Sequence, residues 1–202
     1  MKNILLIGSA DPPYHPLSNL TVLKESLCDY NLTFTEDDEM FLNLNGFSML
    51  LCYCDVWGRP LNDLYAIALN AYLKDGGKIL SIHNGISLQD TPKLFDISGA
   101  RFTHHPKHGE LTIKPVVGHP ITQGLQDFCV NDEPYHYEML KTVRILANYD
   151  YDGKTIPAAW EYTHENGTLI YLMPGHDEKV FKCKHYQQLI RNSVVYLIGK
   201  PL

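Results

Sequence analysis

Lys78-Ile79-Leu80-Ser81-Ile82-His83-Asn84-Gly85 reads as a short apolar strand that stops at a histidine and turns sharply. A continuous apolar run of this length, bounded by turn residues, fits a strand buried on both faces of a parallel sheet. Just upstream, Leu61, Leu64, Tyr65, Ala68, Leu69 and Tyr72 repeat at helical spacing. Pro60 suits the first turn of that helix and Gly76-Gly77 its C-terminal cap. Residues 47–54, 31–35 and 3–7 read as three earlier strands. Residues from about Leu17 form a helix with Leu20, Leu23 and Leu27 on one face and Ser18 as its cap. Alternation of strand and helix over the first 90 residues predicts an α/β sheet with right-handed crossovers.

Beyond that point the chain becomes strand-rich. Residues 111–117, 128–130, 144–149, 158–162 and 168–173 read as strands. Tyr151-Asp152-Gly153-Lys154 and His164-Glu165-Asn166-Gly167 read as hairpin turns, because Asp-Gly and Asn-Gly tolerate positive φ. A last helix carries Tyr186, Leu189, Ile190, Val194 and Leu197 on one face and is stopped by Gly199 and Pro201. There is no internal repeat and no linker, so residues 1–202 are read as a single domain. A domain of this size buries roughly 70% of the surface its unfolded chain exposes.

The charge of −6 comes from 17 basic and 23 acidic side chains with no basic cluster. This argues against a nucleic-acid partner and against an anionic membrane surface. No apolar run approaches the roughly 20 residues of a membrane helix, and residues 1–8 lack a secretory apolar core. The five cysteines match no zinc spacing, so reduced thiols in a cytoplasmic protein are the simplest reading. Ten histidines are an unusual share for 202 residues, and several lie beside proline, glycine or acids.

In open α/β sheets ligands bind beyond the carboxyl ends of the strands. Here those ends carry Asp11 and His15, Asp55, His83, and the Pro174-Gly175-His176-Asp177 segment. His83 occupies the place a nucleophile takes in a strained strand-to-helix elbow. Histidine there can donate, accept or ligate a metal, but no cysteine or serine stands ready for acyl transfer. His104-His105-Pro106-Lys107-His108 offers three imidazoles, a donor type suited to zinc. Asp132-Glu133 is a carboxylate pair; successive extended residues face opposite ways, so only one should enter a site, and Glu133 is the choice. Trp160 and Tyr135 suit a stacking wall for a sugar ring, although a tryptophan on a strand is more often core. The loop at 8–13 argues against flavin, since Pro12 and Pro13 remove amide donors and Asp11 repels phosphate.

These segments together resemble the ThuA-like, or trehalose-utilization, family, whose members look like class I glutamine amidotransferases without the catalytic cysteine. The carriers are Ser81-Ile82-His83, Phe102-Thr103-His104-His105-Pro106, Gly118-His119-Pro120-Ile121-Thr122 and Asp132-Glu133-Pro134-Tyr135. They continue with Pro157-Ala158-Ala159-Trp160 and residues 168–173 running into Gly175-His176-Asp177. The resemblance implies a flavodoxin-like three-layer α/β/α sandwich, with a mostly parallel sheet and C-terminal antiparallel additions. It also implies a role in sugar metabolism.

The expectation is therefore acid/base chemistry, metal-assisted or not, on a disaccharide or keto-sugar derivative. His83, Glu133, His176 and Asp177 are the expected catalytic residues. His15, His105, Tyr135 and Trp160 are the expected substrate contacts, and His83, His105 and His176 the expected ligands of a divalent metal such as zinc. Neither flavin nor nucleotide is expected. The partner is a small-molecule carbohydrate, with a homo-oligomer left open. The competing reading is a non-catalytic sugar- or metal-binding module on the same fold.

Overall fold

A computed structural model describes residues 1–9, 15–54, 61–85 and 92–199. The elements are β1 (Asn3–Gly8), α1 (Leu23–Ser26, continuing a 3-10 turn at Leu17–Val22), β2 (Asn31–Thr35), β3 (Met49–Tyr53), α2 (Asp63–Lys74) and β4 (Lys78–Ile82). After them come α3 (Pro92–Ser98), β5 (Ala100–His104), β6 (Gly109–Pro115), β7 (Phe128–Asp132), β8 (His136–Met139), β9 (Arg144–Tyr151), β10 (Lys154–His164), β11 (Gly167–Leu172), α4 (Glu178–Lys182) and α5 (Lys184–Ile198).

One large sheet has the order β2-β1-β3-β4-β11-β10-β9-β6-β7. Its first five strands run parallel and the remaining pairs are antiparallel. The parallel half is buried on both faces: Ile4 through Ile7 and Met49 through Leu51 are fully excluded from solvent. Helices cover it in two groups, α2 with α3 and α1 with α4 and α5. The expected mixed α/β architecture holds, with the antiparallel share equal to the parallel one. No helix among the described residues is long and apolar enough to cross a membrane.

Local sequence explains most element ends. Asn62 caps α2 by accepting from the Leu64 N–H at 2.9 Å, and Gly76 closes it at φ 92°. The hairpin between β9 and β10 places Asp152 and Gly153 at φ 49° and 71°, the mirror-image turn their sequence favours. Ser18 does not cap the first helical segment: Pro16 precedes it, and no side chain bonds its first turn. That segment begins as a 3-10 turn rather than the expected α-helix. Asp11, Asp55, Pro60 and Pro201 lie outside the described residues.

Two strands escaped the sequence reading. Among the described residues β5 and β8 pair only with each other, through Ala100↔Met139 and Phe102↔Tyr137. No residue of β8 is buried, so it shows no apolar alternation to read.

One buried carboxylate ties the two halves of the sheet together at the site end. Asp132, fully buried at the end of β7, accepts from the Gly175 N–H at 2.7 Å and the His176 N–H at 3.3 Å through Oδ2. Its Oδ1 accepts from the Glu133 N–H at 2.7 Å. The far-edge strand is thereby pinned over the chain that leaves β11. Asp132→Asn would turn an amide N–H toward one of these backbone donors. A destabilisation of about 1–3 kcal/mol is expected, read as a lower urea midpoint at unchanged slope, and an unaltered midpoint would refute this role.

Candidate functional site

The site begins where β4 ends. The His83 N–H bonds the Leu172 carbonyl at 2.9 Å, one last rung beside β11, and the backbone then turns through φ 54° at His83. A non-glycine residue with such a φ costs energy that the surroundings must offset, and these residues gather at functional sites. Gly85 makes the turn possible: a Cβ there would stand 1.8 Å from the Cys52 carbonyl oxygen of β3. Gly175 gives His83 its room in the same way, since a Cβ would lie 2.8 Å from the His83 Cβ.

His83 is fully buried. Its Nδ1 donates to the Met173 carbonyl at 2.8 Å, so the lone pair of the neutral ring is on Nε2. Nε2 lies 2.8 Å from the Tyr135 hydroxyl. Burial pushes the imidazole down to about 4, against the opposing pull of Glu133. The ring is therefore neutral at physiological pH.

His15, buried and also held at positive φ (57°), lies beside it with ring centroids 4.5 Å apart. His15 Nε2 is 3.1 Å from His176 Nδ1. Glu133 stands between the imidazoles: its carboxylate is 3.6 Å from His83 Nε2, 3.4 Å from His176 Nδ1 and 3.7 Å from His105 Nδ1. One ligand atom from each of His15, His83, Glu133 and His176 can be chosen so that all four lie within 4.8 Å of one another. Three imidazoles and a carboxylate are a donor set that divalent transition metals accept.

Electrostatics separate the roles. Burial raises the Glu133 carboxyl, but its interactions with His176 and His83 outweigh this and hold it well below the usual carboxylate range. Glu133 in turn raises His176 above its ordinary value despite partial burial. The carboxylate thus favours positive charge in the cluster. Asp132, behind His83 with Oδ1 4.0 Å from Nδ1, is pushed up to about 7 by burial, against three backbone N–H donors.

The expected site residues divide into two groups. His83, Glu133, His176 and His15 come together. His105 lies exposed at the rim, its Nδ1 donating to the Pro106 carbonyl at 3.0 Å, so of the expected ligand trio only His83 and His176 belong to the close cluster, which His15 and Glu133 complete. Tyr135 is buried beneath the cluster with its hydroxyl against His83 and Asn84, a support rather than an open sugar wall. Trp160 is fully buried, stacked on Tyr171 at 4.2 Å, with its indole N–H on the Ser98 carbonyl; it is core and contacts no substrate. Asp177 caps α4, its Oδ1 accepting from the Lys179 and Val180 N–H groups.

The 104–108 histidines are also dispersed, with His104 stacked on His136 and His108 beside His176. Two participants were missed. Asn84 follows His83 and touches both His15 and Tyr135. Asp132 shares a face with Phe128 and Val130, a period-2 signal that marks a buried carboxylate. Both carboxylates reach the site because the chain turns after Asp132, and alternation ends with the strand.

Comparison with known proteins places this geometry in context. The ThuA family model, described as trehalose utilisation, matches residues 18–197. Among solved structures the chain is similar to a putative ThuA-like protein from Parabacteroides merdae, with 18% identity, a TM-score of 0.79, and 99% of this chain and 91% of that one covered. It is similar to another from Bacteroides uniformis, with 14% identity, a TM-score of 0.72, and 99% and 94% covered. A β-galactosidase from Bacillus circulans sp. alkalophilus matches at 14% identity and a TM-score of 0.70, over 100% of this chain but 32% of the enzyme. At such identities these likenesses bear on the fold alone. No curated protein matches the sequence. On the strength of a family match spanning nearly the whole chain, the protein belongs to the ThuA family of trehalose utilisation, which points to a carbohydrate-related role.

Proposed function

We propose that this protein is an enzyme that moves a proton at a carbon next to the carbonyl of a keto-sugar or oxidised disaccharide, with a divalent cation held by His15, His83, Glu133 and His176. The observation that carries this reading is the convergence of those four side chains from separate strand ends. Family membership supports the substrate class. A bound cation supplies Lewis-acid stabilisation of the negative charge that develops on the substrate oxygen.

The chain's own residues divide the remaining work. The Met173 carbonyl holds the Nδ1 proton of His83 and directs the Nε2 lone pair toward the cluster, the backbone support typical of ligating histidines. Glu133 contributes negative charge. Its depressed carboxyl makes it a weak base, which suits it to the role of ligand rather than proton acceptor. The proton falls to His105, exposed at the rim beside Glu133. With Nδ1–H held by Pro106, its Nε2 carries the basic lone pair.

The alternative is a binding module without turnover. Its cluster and fold would be the same, so only conversion separates the two.

Titration of metal-stripped protein with Co²⁺ is expected to give visible absorption at one ion per chain. His83→Ala or Glu133→Gln is expected to abolish it, while His105→Gln leaves it intact. Absence of the signal in the unsubstituted protein removes the cation from the reading. Incubation of the metal-loaded protein with oxidised and unoxidised disaccharides in deuterated water, followed by NMR, is expected to show deuterium uptake next to a carbonyl. His105→Gln should slow uptake by about 10²–10⁴-fold. Binding of a sugar with no exchange across the panel would favour the binding module.

A further inference from the structure

The two positive-φ histidines are joined by a side chain that belongs to neither ligand set nor core. Asn84 sits in the turn directly after His83 and is partly buried. One end of its amide lies 3.1 Å from His15 Nδ1 and the other 3.0 Å from the Tyr135 hydroxyl oxygen. The same hydroxyl gives its single proton to the bare Nε2 of His83 at 2.8 Å, so its oxygen faces the amide as an acceptor. At its other end, His15 Nε2 lies 3.1 Å from His176 Nδ1. One amide thus connects the backs of two candidate ligands.

An amide nitrogen donates and never accepts. With Nδ2 toward His15, the facing Nδ1 carries a lone pair, and the proton of the neutral ring resides on Nε2. That Nε2–H points at His176 Nδ1 and occupies its lone pair. In this form His15 is a hydrogen-bond donor inside the cluster and offers a cation nothing. With the amide turned over, Oδ1 would accept a proton on His15 Nδ1, and the Nε2 lone pair would face Glu133 and His176. Ligating histidines commonly give their second ring N–H to an oxygen acceptor, which fixes tautomer and orientation.

We propose that Asn84 is a positioning residue for His15: the face its amide presents decides which ring nitrogen bears the proton, and hence whether His15 closes the cluster by a hydrogen bond or opens it as a ligand. Asn84 has no contact with the substrate carbon in this scheme and acts only through His15. The metal-dependent consequence rests on the cation reading above, whereas the tautomer itself does not.

The test uses full-length protein, metal-stripped and uniformly ¹⁵N-labelled, with long-range ¹H–¹⁵N spectra of the histidine rings. The His15 signals are assigned by their loss in His15→Gln. The unsubstituted protein is expected to show His15 protonated on Nδ1, because the Tyr135 oxygen takes the amide N–H and leaves Oδ1 to His15. In Asn84→Asp the carboxylate accepts only, so His15 is expected to keep its proton on Nδ1. Asn84→Leu, of similar volume without polar atoms, is expected to give no fixed preference.

Zn²⁺ titration of the same samples is expected to show tighter binding in Asn84→Asp and about 10–100-fold weaker binding in Asn84→Leu. A His15 proton pattern identical in all three proteins overturns the proposal, as does an unsubstituted protein with His15 protonated on Nε2 alone. Should the Asp variant fail to fold, the unsubstituted spectrum and Asn84→Leu still decide. Tautomer changes as expected with no Zn²⁺ bound by any of the proteins would uphold the positioning role and reject the cation.

Discussion

The hydrogen bond from His83 Nδ1 to the Met173 carbonyl, 2.8 Å long and fully buried, is the constraint around which the site is organised. It joins the ends of two adjacent parallel strands, β4 and β11, and settles which nitrogen of the central imidazole faces the other groups. Without that acceptor, a neutral ring at positive φ in a closed interior would have no defined tautomer. Left unpaired, its buried N–H would carry a desolvation cost. The Tyr171 hydroxyl reinforces the same junction by donating to the His83 carbonyl at 2.9 Å.

Behind this junction, the sheet's change of direction gives the site its mixed composition. Parallel strands contribute His15 and His83 from loops at their carboxyl ends, as open α/β sheets do. The antiparallel half runs back and delivers Glu133 and Tyr135 from the end of β7. Asp132 holds that return in place through the Gly175 and His176 amides. His176 is thus aligned through its backbone by one member of the carboxylate pair and paired through its ring with the other.

Environment then separates groups of identical chemistry. Asp132 and Glu133 are neighbours in sequence, yet burial raises one carboxyl and the facing imidazoles lower the other. His83 is kept neutral by burial, while His176 is drawn toward protonation by Glu133. Divergent shifts among adjacent titratable groups are a recognised mark of functional sites. They were invisible in the sequence, because each depends on solvent exclusion by residues distant along the chain.

Much of the fold was legible without coordinates. β2 and β4 coincide with the stretches read as strands, and the hairpin at 152–153 follows from local turn chemistry, whereas the turn at 165–166 stands where it was read but carries its positive φ on Glu165 (55°) rather than on the Asn-Gly pair. Helical spacing located α2, and an abrupt strand end located His83 in its turn. All of these are encoded within a few residues, where periodicity and φ preference act. What the chain alone could not decide was which polar residues meet. His15 and His176 are 161 positions apart and touch through ring nitrogens. Trp160 and Asp177 stood among the expected site residues beside Glu133, and packing made one a core ring and the other a helix cap. Convergence is a property of strand order and sheet curvature, and those are set by burial of the whole apolar surface at once, not by any local pattern.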